Sequence, residues 1–239
     1  MLGLRFFYRK NARDEAEKPF WISYADLMTS LMVLFLVVMS VALLAVTKKI
    51  DETERRKIER ENEIQKLLEQ IMQAANEFPG IQVNMDRHTI DFGPQAYFKF
   101  REYSMSVEAA SRLRGFTRRL LGIAREPLGQ KWLKRIIVEG YTDTIGTYLY
   151  NLNLSLNRSH KVLCILLDQS MEDQNVLNIG ERDEVRKLFL VGGYSFNSAR
   201  KTDEESRRIE LRLEFLGLDE KLEAPMIDQR NSLGECQLR

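Results

Sequence analysis

The stretch FWISYADLMTSLMVLFLVVMSVALLAV, residues 20–46, holds a single charged residue in 27 positions, Asp26. Coiled as a helix it would be about 40 Å long, enough to cross a hydrocarbon core of roughly 30 Å with some tilt. A carboxylate in such a run is unfavourable. Intramembrane acids persist where they face a partner or a wet cavity and carry ions or protons. The run therefore predicts one membrane-spanning helix near the N-terminus and poses the functional question at Asp26.

The flanks agree with a span. Residues 1–19 form a basic, aromatic tail, and Pro19 suits the first turn of a helix. Trp21 and Tyr24 stand where interfacial aromatics collect. Asp26, Ser30, Val33, Val37 and Ser40 recur at spacings of 4, 3, 4 and 3, which puts them on one helical stripe. Small, hydroxyl-bearing stripes are where membrane helices pack on one another, so Asp26 faces protein and not lipid. Tyr24, Thr29 and Ser30 are the candidates for an ion pathway or a partner contact beside it. The run is longer than the apolar core of a cleavable signal peptide, and no A-x-A-like site follows. Charge does not set the orientation. Arg5, Arg9, Lys10, Arg13 and Lys18 precede the span, and Lys48, Lys49, Arg55, Arg56, Lys57, Arg60 and Lys66 follow it.

The whole chain has 239 residues, a net charge of +1 and a mean hydropathy of −0.34. That is the profile of a soluble domain carrying one span, and the near-zero charge speaks against nucleic-acid binding. Residues 47–78 contain no Pro or Gly and are rich in helix formers, which predicts a helical linker. Ile50, Ile58, Ile64, Leu68, Ile71 and Ala75 give it a loose apolar stripe. The linker is then a solvated single helix or a short dimeric coiled coil, about 45 Å long. Pro79-Gly80 ends it. Beyond, strands are expected over 81–92, 135–141, 185–195 and 207–215. Helices are expected over 106–124 and 147–169, and a polar surface insertion over 171–184. The alternation predicts an α/β (α+β) sandwich over 79–217, followed by an irregular tail, 218–239.

Within that domain, VEGYTDTIGTYLYNLNLSLNRSHKV, residues 138–162, carries the second signal. A strand end delivers Asp143, and the following helix carries Arg158 two to three turns in. Two readings stand level. The pair lies at opposite ends of a pocket for a zwitterion with one ammonium and one carboxylate, or it is an ion pair that braces the fold.

The pattern G-Y-T-D-x-x-G followed by N-x-x-L-S-x-x-R resembles the peptidoglycan-binding domain of the OmpA/MotB type. Gly192–Tyr194 and Arg207–Leu211 match its closing motif, and the likeness covers residues 81–216. The resemblance implies that Asp143 and Arg158 hold the amino and carboxylate groups of the stem peptide's diamino acid. Asn151 and Leu154 would line the same site, with Thr142 and Tyr150 beside them. The segment SFNSARKTDEES, residues 195–206, departs from the family's Pro-bearing loop. Independently, W-x-x-Y-A-D-x-M-T-x-L-M-x-x-F, Trp21 to Phe35, resembles the membrane helix of MotB-type stator subunits. That likeness implies a proton carrier at Asp26, with sodium as the alternative ion, and no bound cofactor. It also implies a cytoplasmic N-terminus, a periplasmic domain in the bacterial inner membrane, and a homodimer inside a ring of five MotA-like subunits. The short tail, charged linker and late loop are most similar to the stator-like B subunit of an anti-phage defence system. A flagellar stator subunit and a passive membrane-to-wall tether are the alternatives, although a mere anchor has no use for Asp26.

Cys164 and Cys236 have no metal-site spacing and read as two thiols or as one disulfide. With the domain in an oxidising periplasm, one structural disulfide is expected. His88 and His160 are isolated, so no metal site is expected. No phosphate-binding loop, H-E-x-x-H or G-x-S-x-G occurs, and no enzyme chemistry is expected.

Overall fold

The computed structural model describes residues 13–168, 175–222 and 236. They fall into two compact units, one ending at Lys57 and the other starting at Ile58. Helix α1 runs Arg13–Ala75. It begins ahead of Pro19, which therefore sits inside the helix and not in its first turn. No break separates the apolar run from the charged stretch after it, because neither contains a helix-terminating residue.

The second unit departs from the linker expectation. Ile64, Leu67, Leu68, Ile71, Ala74 and Ala75 are all buried and belong to the main hydrophobic core of this unit. The stripe looks loose from the sequence until Leu67 and Ala74 are added. It then becomes the i, i+3, i+4, i+7 pattern of a core-facing helix. Polar contacts pin the same segment: Arg60 Nε donates to the Leu216 carbonyl at 2.8 Å, and Trp132 Nε1 donates to Glu63 Oε2 at 2.6 Å. The domain therefore begins well before Pro79, and residues 64–75 are part of its core, not a spacer.

After α1 come β1 (Gln82–Asn84) and β2 (Thr89–Asp91), a hairpin where one strand over 81–92 was expected. His88, with φ 52°, sits in the turn. A short 3-10 turn, Pro94–Ala96, precedes α2 (Val107–Arg125), α3 (Pro127–Trp132) and β3 (Leu133–Gly140). Then follow α4 (Tyr148–Leu167), α5 (Ile179–Leu188), β4 (Phe189–Gly193), α6 (Asp203–Ser206) and β5 (Ile209–Phe215). Part of the expected insertion is thus helix α5, and the expected strand 185–195 is half helix. Asn178 and Glu181 form a capping box that starts α5, a signal present in the sequence as N-x-x-E. Residues 171–174 of that insertion, and 223–235 and 237–239 of the expected tail, lie outside the described residues.

The five strands form one mixed sheet in the order β1-β2-β5-β3-β4, with only β3 and β4 parallel. Ile136 and Val138 of β3 sit opposite Leu213 and Leu211 of β5 and join the hydrophobic core. The alternate positions of β5, Glu210, Arg212 and Glu214, carry charge, and Glu139 lies directly opposite Glu210. Like charges paired across strands are destabilising. Here each carboxylate has arginine partners: Arg212 on Glu139, and Arg208 and Arg200 on Glu210 at 2.7 and 2.8 Å.

A disulfide joins Cys164 of α4 to Cys236, closing a sequence separation of 72 with Cα atoms 5.7 Å apart. In the chain-entropy account a loop of that length stabilises by on the order of 4 kcal/mol. Replacing both cysteines with serine is expected to lower the midpoint of thermal unfolding accordingly. Mass spectrometry of unreduced protein is expected to find no alkylatable thiol, and two modified thiols per chain would contradict the pairing.

Candidate functional site

Two places hold the residues singled out by sequence. The first is in α1. From Trp21 the helix carries an 18-residue window of mean hydropathy 2.7 with none of it buried, long and apolar enough by length and composition to cross a membrane. Leu27, Leu31 and Phe35 are each more than half exposed. The hydroxyls turn onto their own helix: Thr29 Oγ1 donates to the Ala25 carbonyl at 2.7 Å, and Ser40 Oγ to Leu36 at 2.7 Å. Such back-bonding satisfies a hydroxyl where water is absent. Thr29 thus donates to its own helix backbone and not to the Asp26 carboxylate. Asp26, Tyr24 and Ser30 are exposed, and Asp26 has no polar partner among the described residues. Among the described residues, Asp26 is thus a lone carboxylate exposed on an apolar helix.

The second place lies where β3 ends and α4 begins. Gly140, the last residue of β3, makes it possible. A Cβ there would stand 2.0 Å from the Ser155 carbonyl oxygen of α4, and one at Gly193 would stand 2.6 Å from Leu156. The two glycines let α4 press onto β3 and β4, bringing Arg158 under the chain that leaves the sheet. Thr147 caps α4 by accepting from the Tyr150 amide, and Gly146, with φ 110°, makes the turn before it.

Asp143 is 4% exposed and internally engaged. Its Oδ1 accepts from the Ile145 amide at 3.1 Å, and its Oδ2 accepts from Arg207 Nη1 at 3.1 Å. Arg207 also donates through Nε to the Phe98 carbonyl at 3.1 Å. Of the two readings left level by the sequence, the bracing ion pair is present at Asp143, but its partner is Arg207 and not Arg158. Arg207 was visible in the sequence only as part of R-R-I-E-L, with nothing to say which side chain it meets.

Arg158 is fully buried. Nη1 donates to the Tyr141 carbonyl at 2.7 Å, Nε to Glu102 at 3.0 Å and Nη2 to Lys99 at 3.3 Å, and the guanidinium lies 4.9 Å from the centre of the Phe98 ring. Burial pulls its pKa down to about 10, against the opposing pull of the Asp143 charge. The turn 98–102, which sequence reading passed over, thus closes on Arg158. Asn151 is also fully buried, donating through Nδ2 to the carbonyls of Ile145 and Thr147 at 3.0 and 3.2 Å. Its Oδ1 and the Thr142 hydroxyl are buried without a partner among the described residues. Leu154 is buried, and Tyr150 is 44% exposed at the rim.

The late loop that departs from the family pattern is stitched to the same place. The Ser195 carbonyl accepts from the Thr142 amide at 3.0 Å, Ser195 Oγ donates to the Tyr148 carbonyl at 3.2 Å, and the Phe196 ring packs edge-on to Tyr148. Arg158→Ala would strip the donor from three carbonyls at once. It is expected to destabilise the domain by about 3 kcal/mol in chemical denaturation, while Leu149→Ala, at an exposed site, changes little.

Known proteins are similar to both parts of the chain. Residues 8–58 match the family described as the membrane protein MotB of the proton-channel complex MotA/MotB. Over 222 residues the chain is 44% identical to the Zorya protein ZorB of Escherichia coli, spanning 92% of this chain and 90% of that protein. Among solved structures, the periplasmic domain of Helicobacter pylori MotB is 14% identical with a TM-score of 0.42, covering 61% of this chain and 85% of that one. The OmpA-like domain of FopA1 from Francisella tularensis is 16% identical with a TM-score of 0.38, covering 57% of this chain and 82% of that one.

Proposed function

The chain belongs to the family of the Zorya protein ZorB, and from that premise we propose that it is the stator-like membrane subunit of an anti-phage defence complex. In this reading Asp26 carries protons across the inner membrane, and the C-terminal domain holds peptidoglycan. The observation that carries the reading is Asp26 itself, a lone unpartnered carboxylate on an apolar helix, within the residues that match a proton-channel family. Apolar surroundings favour the neutral form of a carboxyl group, and a charged partner or water favours the ionised one. Cycling between them would change the contacts of α1 with a surrounding ring of five MotA-like subunits, around a homodimer of this chain. Each charge that crosses supplies about 2.3 kcal/mol per 100 mV of membrane potential.

The N-terminus would be cytoplasmic and the domain periplasmic. The Cys164–Cys236 disulfide supports this, since such bonds persist in oxidising compartments. Anchorage to the wall would keep the unit from spinning freely. In this reading the ion is a proton, with sodium as the alternative, because residues 8–58 match a family described by its proton-channel complex.

The test is proton uptake into sodium-free vesicles containing the chain with its multi-span partner. Uptake that follows an imposed potential supports the reading. An intact assembly without flux overturns it and leaves the passive tether.

A further inference from the structure

The loop after β4 meets the first turn of α4 beside the pocket, and the contact between them leaves a polar pair open to solvent. Residues 195–206 lack the proline of the family's loop. Ser195 fixes the loop instead, through all three of its polar groups. Its amide donates to Ser155 Oγ at 3.1 Å, its Oγ donates to the Tyr148 carbonyl at 3.2 Å, and its carbonyl accepts from the Thr142 amide at 3.0 Å. Ser195 is fully buried and has φ 53°, a left-handed conformation that non-glycine residues seldom adopt. Strain of this kind is held where the surroundings over-determine the backbone, as these three bonds do.

The next two residues are thereby set against the first residue of α4. The Phe196 ring packs edge-on to Tyr148 with centres 5.7 Å apart, and Asn197 Nδ2 donates to the Tyr148 hydroxyl oxygen at 3.3 Å. Tyr148 is 44% exposed and Asn197 is exposed. Two groups are left over. The Tyr148 hydroxyl still has its hydrogen to donate, and Asn197 Oδ1 accepts from no donor among the described residues. A donor and an acceptor side by side match one residue of an extended peptide, whose N–H and C=O point the same way, as in the doubly bonded pairs of an antiparallel sheet. A carboxylate only accepts, so it would use the tyrosine and set its charge against the Asn197 oxygen.

We propose that Tyr148 and Asn197 form a subsite for the backbone of the wall's stem peptide, at the residue next to the diamino acid. Tyr148 donates to that residue's carbonyl, and Asn197 Oδ1 accepts from its N–H. Ser195 is a positioning residue that acts through Tyr148. The inference rests on the wall-binding reading, adds to the pocket and reassigns none of its residues.

The test uses the full-length protein in detergent and two synthetic stem peptides containing the diamino acid. One has all its amide bonds, and in the other the N–H of the adjoining residue is replaced by an ester oxygen. The wild type is expected to bind the ester about five-fold more weakly, the range of one neutral hydrogen bond. Asn197→Ala is expected to bind the amide peptide more weakly by the same factor, to lose the preference for amide over ester, and to keep its unfolding midpoint. Tyr148→Phe is expected to weaken both peptides alike. Ser195→Ala, which changes neither hydrogen-bonding group, is expected to reduce the preference. Equal binding of the two peptides by the wild type, a full preference in Asn197→Ala or Ser195→Ala, or wild-type binding by Tyr148→Phe overturns the inference while wall binding stands. If the wild type binds neither the amide peptide nor isolated sacculi, the wall-binding reading falls and the inference falls with it.

Discussion

Asp26→Asn is expected to reduce protection against phage to that of cells lacking the protein, with the level of the chain in the membrane unchanged. Asparagine keeps the shape and polarity of the side chain and removes only its ability to titrate. Helix α1 should therefore still form, insert and meet its partner, since the apolar run that drives insertion is untouched. Proton uptake in vesicles should vanish with the same substitution. Asp26→Glu, which keeps a titratable group one methylene further out, is expected to retain a fraction of both activities. Plating efficiency and vesicle flux measured on the three proteins decide the matter, and a fully protective Asp26→Asn would show that this carboxylate carries nothing.

Removing residues 58–79 is expected to unfold the C-terminal domain. Ile64, Leu67, Leu68 and Ile71 are each at most 3% exposed, and their partners are core residues of the sheet and of the helices on it. Burial of a side chain of this size stabilises by about 1.5–3 kcal/mol. The four together contribute about 6–12 kcal/mol, comparable with the whole stability of an ordinary domain, about 5–15 kcal/mol. A fragment starting at Ile58 should melt cooperatively, and one starting at Gly80 should be protease-sensitive and without a thermal transition. Leu67→Asp in the full chain should act in the same direction by burying an unpaired charge. A fragment from Gly80 that melts within a few degrees of the longer one would return residues 58–79 to the role of linker.

How much of this was legible depends on how local each signal is. Helix α2 with its Ser106 cap, strand β3 and helix α4 follow from short-range periodicity and capping residues, and they lie within two residues of where the sequence puts them. Residues 185–188 misled because V-R-K-L serves a strand or a helix end equally well. The capping box that starts α5 about two turns earlier decides between them. The stripe of α1 beyond Ile58 is loose in the sequence because a charged helix after a span reads as a spacer until a core is seen to cover its apolar side.

The sequence by itself determined the apolar span, the isolation of Asp26 within it and the arrival of Asp143 and Arg158 on neighbouring elements, all consequences of order along one chain. Only the tertiary structure decided which groups those charges meet. Asp143 pairs with an arginine 64 positions away, and Arg158 reaches carbonyls 56 and 59 positions away. Such contacts depend on how closely α4 approaches the sheet, which Gly140 and Gly193 permit by lacking a Cβ. The physical reason is that a side chain's partners are set by the packing of remote segments, and packing has no signature in the spacing of residues along one element.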